Sequence, residues 1–229
     1  MEWMALTETD STNRVAKELA RQGAAHGTVV SALRQTAGRG RLGRSFFSPE
    51  GGIYLSVILR PQLPPEERTL VTPMAAVAVC RAVEELCGIS PRIKWVNDLY
   101  LGEKKLCGIL CEGAGDAVIV GIGLNYTMPP EGFPSDIPAT ALYPPEGGPV
   151  SKEALTEAMA KAVLAAQPQE CINEYRGRNL VPGKDITVYP VGGTPYSAKA
   201  LDIDERGRLV VQTQDNILTL DSGEVSIRF

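Results

Sequence analysis

The chain of 229 residues contains a single histidine, His26. That scarcity removes the Ser-His-Asp arrangement, in which an imidazole must stand between a nucleophile and a carboxylate. It also argues against zinc, because a structural site takes four Cys or His ligands. Cys107 and Cys111 are four apart, but no second close pair accompanies them. The five cysteines, Cys80, Cys87, Cys107, Cys111 and Cys171, are odd in number and read as small buried hydrophobes in a reducing compartment. No basic-then-apolar leader opens the chain, and no run approaches the roughly 20 apolar residues that a membrane-spanning helix needs. The expected setting is cytoplasmic, away from membranes. Basic charge is not in excess either: 23 Lys and Arg face 27 Asp and Glu, for a net charge of -4. Nucleic-acid binders usually carry a basic domain, so no nucleic-acid partner is expected. A G-x-x-x-x-G-K-[ST] phosphate loop, a kinase signature set, internal repeats and low-complexity tracts are also missing.

Hydrophobic residues make up 44% of the chain, enough for a substantial core. The length suits one large domain with a small satellite. Periodicity and turn residues predict a helix after Ser11-Thr12-Asn13 that stops at Gly23, strands at 28–33 and 53–59, and a buried helix at 70–87 closed by Gly88. A short strand at 93–95 ends in the turn signal Asn97-Asp98. Two strands at 105–112 and 118–124 flank the turn at 113–116. A Pro- and Gly-rich loop follows at 127–150, then helices at 152–166 and 170–178. After Pro182-Gly183 the pattern changes to five short β-prone runs, at 186–189, 196–203, 209–212, 217–220 and 225–227, with turn signals that include Ser222-Gly223. These predict a small β-barrel, and so domains of 1–182 and 183–229.

Four clusters carry the chemistry, all in the first domain. Ser11-Thr12-Asn13, taken alone, is an ordinary helix cap. The run from Gln35 to Arg44 sets Arg39, Arg41 and Arg44 among Gly38, Gly40 and Gly43, with no acidic residue between. Glycine allows the backbone to approach a ligand closely, and arginine brings a fork of donors for oxyanions. Lys94-Trp95-Val96-Asn97-Asp98 places a lysine, an amide and a carboxylate at a strand end. Lys105 enters an apolar strand just before Gly108, either as an edge-strand lysine or as one directed at an anion. Together they describe a cationic site for oxyanions with no evident nucleophile. Such a site suits a reaction run by positioning and charge stabilisation, such as adenylation of a carboxylate by ATP.

These segments, in this order, resemble biotin protein ligases, also called biotin–[acetyl-CoA-carboxylase] ligases. The resemblance rests on Ser11-Thr12-Asn13, on Gln35 with Gly38 to Arg44, and on Phe47-Ser48-Pro49. It continues through Lys94 to Asp98, Lys105 to Leu110 and Gly121 to Asn125, and ends on Gly223 to Arg228. It implies an α/β (α+β) fold: a mixed sheet flanked by helices in a class II synthetase-like catalytic domain, followed by an SH3-like β-barrel. It implies that biotin and ATP form biotinyl-5′-AMP with Mg²⁺, and that biotin then passes to one lysine of a biotin carboxyl carrier domain. Ser11, Thr12, Asn13 and Gln35 would hold the ureido ring. Gly38, Arg39, Gly40 and Arg41 would lie on a loop that orders over biotin and the adenylate, and Gly108 would leave room for the ligand. Lys105, Arg41 and Arg44 would act on the reacting groups. Arg39, Arg44, Lys94, Trp95, Asn97, Asp98, Lys105 and Asn125 would line the nucleotide side, with Asp98 toward Mg²⁺. The family usually has proline at Val96 and often tryptophan at Phe46, and neither difference removes a charged group. Ser11 lies close to the first residue, so a monofunctional ligase without a DNA-binding domain is expected. A sheet edge could pair with the carrier or with a second copy of the chain. The rivals are a lipoate or octanoate ligase of the same fold and a non-catalytic sensor of a small anion.

Overall fold

A computed structural model describes residues 1–190, 192–221 and 223–227. The expected turn residue Ser222 and the Arg228 of the C-terminal motif lie outside the described residues. The first seven strands are β1 (Trp3–Thr9), β2 (Val29–Gln35), β3 (Ile53–Leu59), β4 (Arg92–Lys94), β5 (Asp98–Leu101), β6 (Lys104–Ala114) and β7 (Ala117–Leu124). They form one sheet in the order β1-β2-β3-β7-β6-β5-β4. β1 runs parallel to β2 and the other pairings are antiparallel, so the sheet is mixed.

All seven residues of β3 are buried, because helices cover both faces of the sheet. Ile53, Leu55, Val57 and Leu59 alternate toward the main core. There they meet α3 (Lys152–Ala165), while α2 (Val71–Cys87) lies over β5, β6 and β7 and packs against α3 and α4 (Pro168–Arg178). Eight consecutive residues of α2, Pro73 to Cys80, are buried, as expected of a helix with neighbours on every side. Gly88 ends α2 in the left-handed conformation, at φ 66°. Ile58 of β3 and Ile119 of β7 face the other way, against α1 (Thr12–Arg21) through Ala16 and Ala20. Tyr54 and Ser56 share that second face, as do Gly121 and Gly123 of β7.

The remaining strands are β8 (Asp185–Tyr189), β9 (Tyr196–Ile203), β10 (Leu209–Gln212), β11 (Ile217–Leu220) and β12 (Glu224–Ile227). They form a second, fully antiparallel sheet in the order β11-β10-β9-β8-β12. Four consecutive strands meander, and the last returns beside the first. The inward residues of this sheet, Ile186, Val188, Ile203, Leu209 and Val225 among them, join the same apolar core as α2. At the β9–β10 turn the Gly207 carbonyl accepts a 3.0 Å hydrogen bond from Trp95 Nε1.

Three features differ from the sequence reading. β1 carries no alternating pattern because it is an exposed edge strand, parallel to β2. Asn97-Asp98 closes a turn over 95–97, but Asp98 already begins β5. Ser11 stands at the N-cap of α1, yet its side chain makes no capping bond.

Candidate active site

β7 and β6 lay glycines side by side. Gly123 pairs with Gly108, and Gly121 pairs with Leu110 across the strands. A row of residues without side chains leaves a bare strip on the face that α1 covers only in part. A cavity of about 400 Å³ opens above it. Neighbouring groups fill the space that side chains would take. A Cβ on Gly123 would strike the Phe46 ring, with Cζ at 2.9 Å, and one on Gly108 would meet Phe46 Cε2 at 3.0 Å. A Cβ on Gly121 would collide with the side-chain amide of Asn13.

A bulge aims the lysine. Between β5 and β6 the register runs Asp98 to Gly108, Leu99 to Cys107, then Tyr100 to Lys105, and so skips Leu106. The extra residue turns Lys105 onto the same side as Gly108, three positions away. Lys105 Nζ reaches 2.8 Å from Asp98 Oδ1 and stands 5.7 Å from the centre of the Phe46 ring. Asp98 Oδ1 is buried and takes no further hydrogen bond among the described residues. On the next turn, Asn97 donates to the Ile109 carbonyl at 2.7 Å and accepts from Arg41 Nη1 at 3.2 Å. This ties the arginine loop to β6. Lys94 Nζ lies 5.5 Å from the centre of the Tyr100 ring. Asn125 donates to the Thr140 carbonyl at 2.9 Å, and Thr140 N donates to the Lys105 carbonyl at 2.9 Å. The proline-rich loop is thereby pinned along the pocket.

The arginine loop is a built turn. Gly40 N donates to the Arg44 carbonyl and Phe46 N to the Gly38 carbonyl, each at 2.8 Å. Leu42, exposed, holds a positive φ of 54° within the 3₁₀ turn Arg41–Gly43. Phe47 meets Phe133 edge-on at 6.3 Å, joining the loop's flank to the proline-rich segment.

Of the residues expected at the site, Ser11, Thr12, Asn13, Gln35, Arg39, Gly40, Arg41, Arg44, Lys94, Trp95, Asn97, Asp98, Lys105, Gly108 and Asn125 line this one cavity. Gly38 does not. It packs behind the wall, where a Cβ would press on the Phe46 carbonyl at 2.5 Å and on Gln35 Nε2 at 3.1 Å. Sequence reasoning missed several participants. Phe133, Asp136 and Ile137 come from the proline-rich loop, and Gly223 and Val225 come from the second sheet. Ser56 is fully buried and bonds Thr12 Oγ1 at 2.8 Å and Asn13 Oδ1 at 2.7 Å. One signal for it was present, since a hydroxyl inside an apolar strand must find a partner.

The segments that build this pocket agree with a known profile. Residues 5–125 match the Biotin/lipoate A/B protein ligase family, which is more than half of the chain. This chain belongs to that family. Residues 183–228, the second sheet, match the Biotin protein ligase C terminal domain. Among curated relatives of the family, a biotin--[acetyl-CoA-carboxylase] ligase of Mycobacterium tuberculosis is 34% identical over 96% of this chain and 86% of its own. A bifunctional ligase/repressor BirA of Bacillus subtilis is 33% identical over 95% of this chain and 71% of its own. Among solved structures, the biotin protein ligase of Aquifex aeolicus in complex with biotin and ATP is 30% identical. It superposes with a TM-score of 0.81 over 99% of this chain and 98% of that one. The mixed α/β architecture seen here is that of the family.

Proposed function

We propose that this protein is an ATP-dependent biotin protein ligase. The single observation that carries the reading is the convergence of Arg39, Arg41, Arg44 and Lys105 on one cavity that Thr12, Asn13 and Gln35 also line. In the first half-reaction a biotin carboxylate oxygen attacks the α-phosphorus of ATP, and the bond to the β-phosphate oxygen breaks. The products are biotinyl-5′-AMP and pyrophosphate. Both partners are anions, so their repulsion opposes the encounter. Lys105 and the arginines offset that repulsion and the charge that grows on the phosphorus in the transition state. In the second half-reaction the amine of a carrier lysine attacks the acyl carbon and AMP leaves. The nucleophile belongs to the carrier, so the pocket needs none of its own.

The uncharged polar lining supports biotin over a plain acyl chain. Thr12, Asn13 and Gln35 offer hydrogen bonds that a ureido ring can satisfy and an octanoyl tail cannot. Magnesium binds through one or two carboxylates together with substrate phosphates. Asp98, whose half-buried carboxylate lines the cavity, fits that pattern and would hold the ion beside the triphosphate. The ion would add positive charge against the phosphates. We further propose that residues 1–182 are the catalytic domain and 183–229 an appended SH3-like barrel that completes the pocket rim. The site is cytoplasmic, in keeping with five free cysteines, and no helix of the described residues is long and apolar enough to cross a membrane. The partner is a biotin carboxyl carrier domain of a carboxylase. The open edge of β1 is available for pairing with a second copy of the chain.

The test is incubation with labelled biotin, ATP, Mg²⁺ and a carrier domain, with lipoate and octanoate in parallel arms. Label on the carrier from biotin alone is the expected result. Transfer from lipoate or octanoate instead would assign the other branch of the family, and binding without transfer would assign a sensor.

A further inference from the structure

Behind Asn13, which lines the pocket, stand Lys17 and Glu112, to which the reaction just described gives no role. Asn13 and Lys17 are one turn apart on α1, and both reach Glu112 of β6. Asn13 Nδ2 donates to Glu112 Oε2 at 2.8 Å and to the Leu110 carbonyl at 3.1 Å. Lys17 Nζ pairs with Glu112 Oε1. Asn13 Oδ1 accepts from Ser56 Oγ at 2.7 Å, and Thr12 N donates to Gln35 Oε1 at 2.9 Å. Glu112 itself does not line the cavity.

The donor inventory decides what this chain can do. A side-chain amide nitrogen has two hydrogens, and both of those on Asn13 are spent on Glu112 and Leu110. Its oxygen has two lone pairs, and Ser56 uses one. Asn13 is 4% exposed and lines the cavity, and its Oδ1 fills the space above Gly121. Whatever enters there therefore meets an acceptor and no donor. The amide would present the reverse face if it flipped, and the flip is opposed by both partners of its nitrogen, the Glu112 carboxylate and the Leu110 carbonyl, neither of which has a hydrogen to give.

We infer that Glu112 is a positioning residue that holds the Asn13 amide one way round, so that the site selects a ligand N–H over a ligand carbonyl at this point. The inference rests on the proposed ligase reading, in which the ligand N–H belongs to the ureido ring of biotin. Burial of Glu112 favours its neutral form, but the bonds from Lys17 and Asn13 outweigh this and hold it ionised below its usual range.

The test compares the full-length protein with Glu112→Gln and Lys17→Met. A glutamine can offer Asn13 either a carbonyl or an amide, so the side-chain share of the enforcement is lost and the Leu110 carbonyl alone opposes the flip. Lys17→Met breaks the ion pair but leaves the carboxylate accepting from Asn13. The dissociation constant for biotin is expected to rise about tenfold in Glu112→Gln, the size of one lost hydrogen bond. The KM for ATP and kcat at saturating biotin should stay at wild-type values, and Lys17→Met should bind biotin as wild type does. Unchanged affinity in a folded Glu112→Gln protein overturns the inference. So does equal weakening in both variants, which would make the ion pair merely structural. Wild-type protein that binds no biotin would refute the ligase reading alone. In that event the side-chain amide resonances of Asn13 still decide the point: they should move in Glu112→Gln and hold their place in Lys17→Met, and the opposite pattern overturns the role of Glu112.

Discussion

Single side chains carry the sharpest expectations. Lys105 Nζ lies against the bare strip of the pocket and is the ion-pair partner of the buried Asp98 Oδ1. Lys105→Ala is therefore expected to stay folded with a lowered melting temperature, and to lose about 10²–10³-fold in biotinyl-AMP formation, the loss seen when one charge-stabilising group is removed. Pyrophosphate release checks this, and undiminished turnover would remove Lys105 from the chemistry. The glycines make an opposite kind of prediction. Gly123→Ala pushes a methyl into the Phe46 ring and Gly121→Ala pushes one into the Asn13 amide. Both are expected to weaken biotin binding by at least about tenfold, since each displaces a wall group from a packed position. Calorimetric titration of each variant against wild type reads this directly, and affinity equal to wild type would show that the glycines are not there for clearance.

Elements add what side chains cannot. The arginine loop is closed by two backbone bonds but carries exposed Leu42 in the left-handed region. A non-glycine residue held there stores strain. The loop should therefore be cut readily at Arg39, Arg41 or Arg44 by trypsin, and protected once biotin and ATP occupy the cavity. Equal cleavage in both states would show that it does not close on ligand. The β9–β10 turn makes a separate case. Gly207 has φ 73°, accepts from Trp95, and would place a Cβ 2.8 Å from Pro73 Cγ. Gly207→Ala should destabilise by about 1–3 kcal/mol and lower the melting temperature by about 2–4 °C per kcal/mol for a chain of this size. Because Trp95 sits between Lys94 and Asn97, the same substitution should also disturb the pocket from the far sheet.

For the molecule as a whole, ion pairs bind the helical layer together. Arg178 of α4 bridges Glu84 of α2 and Glu174 of its own helix, and Arg81 of α2 reaches Glu174 at 2.6 Å. The Ser90 hydroxyl and Arg178 hold Glu84 below its ordinary value of 4.5. Burial opposes ionisation of Glu174, yet bonds from Arg81 and Arg178 outweigh it and lower its value as well. A carboxylate held below its unfolded value stabilises the fold above that value and ceases to do so as pH falls through the folded one. Stability is therefore expected to be level near neutrality and to drop below about pH 4.5, where unfolded glutamates begin to take up protons. Melting curves across pH 3 to 7 check the sign on an order-of-magnitude basis. Glu174→Gln should flatten the acid limb, and an unchanged limb would place the pH dependence elsewhere.

Much of this molecule was legible before folding. Strands 53–59, 196–203, 209–212 and 217–220 and the helix expected at 70–87, which spans Val71–Cys87, follow from apolar period and turn residues, which act over a few neighbours. The chemical types at the site were equally local, because arginine among glycines and lysine before glycine advertise an anion from the sequence alone. Other features belong to the tertiary structure. β1 shows no pattern since neither of its faces is buried, and its existence depends on β2 beside it. Lys105 faces the cavity only because a bulge against β5 shifts the register. Gly121 and Gly123 read as strand residues until Asn13 and Phe46, from distant segments, occupy the space above them. Glu112 is only the last residue of the predicted strand at 105–112 until α1 sets Asn13 and Lys17 upon it. Local periodicity can place a residue on a face. What lies across from that face depends on strand pairing, and pairing is settled when the whole sheet closes around its core.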